Sequence, residues 1–370
     1  MNRRSWIALA AGIAVAVLVA VLVAVLVILG RPDPDGAAPK EPASSSEETT
    51  AAPAPAAPTI TAPTLVGDLM PDPMLAFCVA AQLGIDASEP VTQDRLDAVA
   101  MLSCEIPELT DLTGIEYLRR LSVLDLADSG VGDVTALAAL PGLTQLFLTR
   151  TPVTDAAPLA GLTGLTLLSL TDTGITDAGP LTGLTALTEL NVAGTGVADV
   201  TPLAGLTELT HLDLSGTGVA DITPIAALPH LRTLSLWGTD VSDVAPLTAA
   251  PALTELALGE SAVTDITVLA DLTGLSVLHL SDTPVSDLAP LSGLVGLTHL
   301  YLGGTEVSDV TALSGLTNLL ALDLARTDVV DVAPLAGLTD LAMLWLTATP
   351  VTDTSPLADL VAGGLQIVGP

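Results

Sequence analysis

Ring-bearing side chains are scarce in this 370-residue chain, so the few positions that hold them carry information. Between residues 99 and 362, Tyr117 aside, the aromatics are Phe147, Trp237, Tyr301 and Trp345, and His211, His279 and His299 fall in the same stretch. Rings held on a rigid surface anchor ligands: they bury large area at low entropic cost and stack on sugars as readily as on side chains. Imidazoles beside a carboxylate can also hold a metal. His279 and His299 with Asp323 are the best such combination, but neighbouring strands supply no third firm ligand, so no metal site is expected. No Ser/His/Asp arrangement, phosphate-cradling glycine loop or helix-borne metal motif is present. The residues therefore point to binding, with no catalytic residue, no cofactor and no enzymatic activity.

What positions these side chains is a repeat. Residues 143–164, LTQLFLTRTPVTDAAPLAGLTG, are 22 long, and blocks of that length begin at Val99, Leu121, Leu143 and every 22 residues to Leu341, ending at Ala362. The consensus is L-T-x-L-x-L-x-x-T-x-V-x-D-x-x-P-L-x-G-L-T-x. A fixed period with this leucine spacing marks a leucine-rich-repeat solenoid. Block positions 4 and 6 are apolar around a variable position 5, the alternation of a short strand with one buried face. Positions 11, 14, 17 and 20 are mostly apolar too, so the rest of the coil points inward. The predicted fold is an α/β solenoid: a leucine-rich-repeat horseshoe with a parallel sheet on its concave side and short 3-10 or helical turns on its convex side. Position 13 is Asp in all twelve blocks, Asp111 to Asp353, and Pro stands at position 16 in eight of them. Asp as N-cap with Pro in the first turn fits that convex turn. Thr or Ser at position 9 in every block but the first can bond backbone groups nearby.

Positions 3, 5, 7 and 8 then face outward from the sheet, and they carry the variation. Phe147, Tyr301, Trp345, His279 and Asp323 sit at position 5, His211 and His299 at position 3, and Trp237 at position 7. All four repeat aromatics thus fall on one face, where His279, His299, Tyr301, Asp323 and Trp345, on four successive blocks, read as one patch, with Trp237 two blocks before it and Phe147 much further away. Acidic groups share that face, including Asp125, Asp213, Asp128, Asp172, Glu260 and Asp282. Arg150 stands between Asp128 and Asp172 in the position-8 column, the spacing of a surface ion-pair ladder worth little energetically.

The 22-residue period, the D-x-x-P-L-x-G-L segment and the helical cap described next resemble bacterial internalin-type leucine-rich-repeat proteins over residues 69–370. The resemblance implies an extracellular protein that binds through its concave sheet, with a ligand that varies from member to member. Two departures stand out: Thr or Ser replaces Asn in the ladder, and no cell-wall-sorting tail is recognisable.

The flanks divide as residues 1–30, 31–67, 68–98 and 363–370. Ile7 to Leu29 is an uncharged run of 23 Ala, Gly, Ile, Val and Leu residues, long enough to cross a bilayer. Arg3 and Arg4 before it predict a single-pass signal anchor with a cytoplasmic N-terminus and everything after it outside the cell. Residues 31–67, rich in Pro, Ala, Ser and Thr, read as a disordered spacer. Residues 68–98 read as a helical N-terminal cap. Asp72 and Pro73 open a helix whose apolar face carries Met74, Phe77, Cys78, Val79 and Leu83, and Gly84 closes it. Thr92 is a candidate N-cap for a second short helix. Cys78 and inward-facing Cys104 read as a disulfide between cap and first coil; two buried thiols are the alternative. Residues 363–370 read as a closing strand.

Beyond residue 30 the chain holds 8 basic and 42 acidic groups, a formal charge of −34. Such a surface repels nucleic acid and anionic lipid head groups, which leaves Ile7–Leu29 as the membrane contact. The leading expectation is a membrane-anchored extracellular module with a protein ligand. A cell-wall glycan is the second reading, because Trp and Tyr stack on sugars; a passive surface spacer is the third.

Overall fold

The structure, a computed structural model, describes residues 58–369. The anchor expected at Ile7–Leu29 and most of the spacer lie outside the described residues; among the described residues no helix is long and apolar enough to cross a membrane.

Folding starts earlier than residue 68. β1 (Thr64–Leu65) pairs antiparallel with β2 (Pro90–Val91), and the one-turn α1 (Val66–Leu69) follows it directly. Val66 is fully buried, so the spacer expected through residue 67 ends several residues sooner. One apolar side chain inserted under the cap outweighs the polar composition around it. α2 (Pro73–Leu83) begins as its sequence dictates. The Asp72 carboxylate accepts the N–H of Met74, Pro73 occupies the first turn, and Gly84 closes the helix at φ 65°. Its buried residues are Leu75, Ala76, Cys78, Val79 and Ala80; of the expected apolar face Cys78 and Val79 are buried, Met74 and Leu83 partly so, and Phe77 is 58% exposed. Counting in steps of three and four from Leu75 reaches Cys78 and Val79 and leaves Phe77 on the opposite side. α3 (Gln93–Leu96) starts after Thr92, but the threonine hydroxyl makes no capping bond. Gln93 ties this corner instead, donating to Asp97 at 2.8 Å and to the Tyr117 carbonyl at 2.9 Å, and accepting from Ile60.

The cap is bonded to the first coil at several points. Asp72 Oδ2 accepts the N–H groups of Thr110 and Asp111 at 3.1 Å each. Arg119 pairs with Asp97. Cys78 and Cys104 are joined through their sulfurs, with Cα atoms 5.8 Å apart. Burial pushes the Asp72 carboxyl up, but four backbone N–H donors, from Thr110, Met74, Asp111 and Leu75, outweigh it and hold the group below the usual carboxylate range.

The repeats form a parallel sheet of 13 strands in strict sequence order, from β3 (Met101–Ser103) to β14 (Met343–Trp345) and β15 (Gln366–Val368). Strands pair at equal repeat positions, Leu146 with Leu168 and Leu300 with Leu322, so each leucine column stacks on itself. The inward leucines are 0–2% exposed through the middle of the stack, which fixes the register: a one-residue slip would turn every one of them outward. A short turn on the far side completes each coil; Thr223–Ala226 is α-helical and the others are 3-10.

Position 13 works one residue earlier than an N-cap. In all twelve coils its carboxylate accepts the N–H two residues on, as Asp133 does from Thr135 and Asp287 from Ala289 at 2.8 Å. From the second coil onward the turn itself begins at the residue that donates this bond; in the first it begins at Ile115, two residues after Thr113. Position 9 bonds within its own coil: Thr151 donates to the Leu148 carbonyl at 2.7 Å, and nine further coils repeat the bond. Ser129 is the exception, buried without a partner. The ladder between coils runs instead through Thr or Ser at position 2. Thr166 donates to the Thr144 carbonyl and Thr188 to that of Thr166, each one coil back. Its signal was in the L-T consensus.

Candidate ligand-binding face

Three consecutive residues of each strand, positions 3 to 5, alternate outward, inward, outward. Position 4 is buried and its two neighbours are mostly half-exposed. Position 7 follows the inward position 6, and position 8 enters a left-handed turn. From the second coil onward that turn is constant: Asp128, Arg150, Asp172, Glu260, Asp282, Arg326 and Ala348 have φ between 54° and 60°, and Gly194, Gly216, Gly238 and Gly304 have φ of 65–76°. This conformation costs a non-glycine residue about 1 kcal/mol. The charged residues at position 8 are therefore held there against a local preference for glycine.

The structure brings four of the eight expected site residues into direct ring contact. β11 (Val277–His279), β12 (His299–Tyr301) and β13 (Ala321–Asp323) are successive strands. His279 stacks on Tyr301 with ring centroids 4.3 Å apart and planes 7° from parallel. His299 stands 6.4 Å from Tyr301, and Trp237 meets His279 edge-on at 6.4 Å. Trp237 lies two coils before His279, and the intervening position 7 is Gly259. A Cβ on Gly259 would come within 2.4 Å of the indole, so the glycine is what lets the ring lie across that coil. The sequence placed Trp237 apart from this patch; the structure joins it. Asp323 and Trp345 continue the row: Asp323 is the register partner of Tyr301, and Trp345 of Asp323. Phe147 stands far away, between Asp125 and Ser169. His211 is exposed between Glu189 and Thr233, with Nδ1 2.8 Å from the Thr210 hydroxyl.

The patch is only partly hydrated, and its ionisations follow. Burial, then the neighbouring His299, lowers His279 to about 4, so its ring is neutral at physiological pH. Burial pushes the Tyr301 hydroxyl up, and the Asp323 carboxylate adds to it. Burial also raises the Asp323 carboxyl; the Ala325 N–H, bonded to Oδ1 at 2.8 Å, opposes it only in part. Among the described residues no three of His, Cys, Asp or Glu converge as a metal-binding group.

The ion-pair ladder expected at Arg150 is half formed. Arg150 makes a two-pronged pair with Asp128, and no bond reaches Asp172. The Asp172 carboxylate lies over Gly194 instead, where a Cβ would meet it at 2.2 Å. A second pair was not foreseen: Arg326 holds Asp282 across the intervening coil. The glycine between them at the same repeat position was the available signal.

No family model matches the chain, and no curated protein sequence matches it. Solved structures do. An internalin (inlF) of Listeria monocytogenes is 31% identical, with a TM-score of 0.75, over 83% of this chain and 98% of that one. The functional domain of InlJ from Listeria monocytogenes is 22% identical, with a TM-score of 0.57, over 82% of this chain and 80% of that one. The plant peptide hormone receptor RGFR1, in complex with RGF2, is 18% identical, with a TM-score of 0.59, over 70% of this chain and 45% of that one. The last two share the fold alone.

Proposed function

The chain belongs to the internalin-like family of bacterial leucine-rich-repeat proteins, and on that premise we propose that it is a binding module which recognises a protein partner through the outer face of its sheet. The row formed by Trp237, His279 and Tyr301 carries this reading. Rings of this size, stacked on strands that cannot shift register, are the anchors that commonly dominate a protein interface. Thirteen strands at about 4.8 Å spacing give a face roughly 58 Å long, room for the roughly 800 Å² that one side of a standard interface buries. RGFR1, of the same fold, is in complex with RGF2, which supports a polypeptide ligand here as well.

In this reading the protein works outside the cell, held at the membrane by Ile7–Leu29, with Arg3 and Arg4 on the cytoplasmic side. It binds and does not catalyse. Two experiments test it. Protease added to intact cells should remove the repeats while a cytoplasmic control survives; repeats shielded beside an intact control reject the topology. Screening the full chain against panels of surface proteins and of glycans should return a protein whose binding needs Tyr301 and Trp345. A glycan that needs the same two residues moves the assignment to sugar recognition.

A further inference from the structure

The close stack on Tyr301 is with His279; His299, on the same strand as Tyr301, stands further off at 6.4 Å. His279 covers one face of the phenol ring, and the two residues are register partners on adjacent strands, so the shared ring plane stands across the direction in which strands follow one another. The other face of Tyr301 is turned toward the strands of Asp323 and Trp345. Among the described residues no ring packs against the Trp345 indole. Two aromatic residues thus flank a carboxylate, two strand spacings or about 9.6 Å apart. A flat group in van der Waals contact with a ring on each side needs roughly 7 Å, less than that strand separation, so the two rings must lean together over Asp323 to hold it.

The carboxylate between them makes no ion pair, although Arg326 lies near enough to act on it through space. Asp323 Oδ1 is bonded to the Ala325 N–H, while Oδ2 has no donor among the described residues. Oδ2 leans over Gly303, where a Cβ would sit 2.8 Å from it. The nearest cation, Arg326, gives both terminal nitrogens to Asp282. The wider face offers no other: its outward positions hold ten acidic residues and two arginines, and the second arginine, Arg150, is bonded to Asp128.

We propose that Tyr301, Asp323 and Trp345 form a pocket for the guanidinium of an arginine side chain on the protein partner. A guanidinium is planar, stacks on aromatic faces and sheds water more easily than an ammonium, so it fits a slot between two rings above a half-buried carboxylate. The acidic face around the pocket steers a basic surface onto it. This pocket rests on the reading that the sheet face binds a protein.

The test uses the full chain and a random peptide library displayed on phage. Peptides are kept if they bind the wild type and are lost on the Tyr301→Ala, Trp345→Ala double variant. These peptides should share an arginine. Replacing it by citrulline, which keeps the shape and removes the charge, should weaken binding about tenfold or more. Asp323→Asn should cost the same with the arginine peptide and nothing further with the citrulline peptide. The asparagine is tolerated in the fold: Asn191 occupies the equivalent position and accepts the Ala193 N–H at 2.9 Å, as Asp323 does from Ala325. Asp271→Asn, the same charge loss on the convex turn Thr267–Asp271, away from the sheet face, should change nothing. Peptides that need both rings but carry no common arginine, or that accept lysine or citrulline at full affinity, overturn the pocket and leave the binding face standing. If no peptide depends on the two rings, the binding face falls, and the pocket with it.

Discussion

Arg326 holds Asp282 from two coils away, Nη1 to Oδ1 and Nη2 to Oδ2 at 2.9 Å each, and the pair passes over Gly304. Gly304 has φ 76°, and a Cβ there would stand 2.2 Å from Asp282 Oδ1. Gly304→Ala therefore meets backbone strain and a broken ion pair together, and should cost about 1–3 kcal/mol. Gly205→Ala, with open space around it and no positive φ, should be neutral or slightly stabilising. Denaturant melts of the two variants check the contrast; equal effects would show that the Arg326–Asp282 pair does not require glycine at residue 304.

Removing the anchors should separate binding from folding. Tyr301→Ala with Trp345→Ala should weaken partner binding by about a hundredfold or more. Both side chains are half-exposed on the outer face, so melting should barely move. Leu346→Ala empties a fully buried position and should lose about 2–5 kcal/mol of stability. Affinity and melting temperature measured on both variants decide it. An aromatic pair that unfolds the protein, or leaves affinity intact, removes the face from consideration.

His279 should titrate near pH 4. Its folded pKa lies below the unfolded value of about 6.5, so the unfolded chain binds the extra proton first as pH falls. The stability from its neutral, stacked ring is complete above about pH 6.5 and is lost as pH drops toward about 4. His279→Phe, which keeps a ring against Tyr301, should flatten the stability profile across that window. An imidazole NMR titration with a midpoint near 6.5 would contradict the burial argument.

Protein purified from the cell surface should carry Cys78 and Cys104 as one disulfide, matching their pairing in the structure. Alkylation without reduction should then add no mass, and reduction should lower stability by about 2–4 kcal/mol, because an open link lets the cap leave the first coil. Two alkylated thiols before reduction would refute the pairing in the cell.

The period alone determined the sheet, its order, the inward leucine columns and the face on which Tyr301, Trp345 and Asp323 lie. Each coil contacts mainly its own copies, so one block's environment is every block's environment, and a 22-residue pattern suffices to state it. The same logic marks the position-13 aspartates as structural, although the N-cap expected there is a bond two residues on that sits one residue before the cap. Phe77 and Val66 were misplaced because the cap has no repeat: the phase of α2 and the start of folding depend on how one short helix seats on the first coil. Trp237 was separated from its patch because its reach to His279 depends on a glycine in the coil between them, a relation no block contains. The left-handed turn at position 8 was likewise hidden, since Asp, Arg and Glu occupy it in six coils and glycine in only four. The neutral state of His279 required tertiary structure as well: the period places the ring on its strand, but only burial in the patch removed the water that would have held its charge, and only the nearby His299 added electrostatic opposition to that charge.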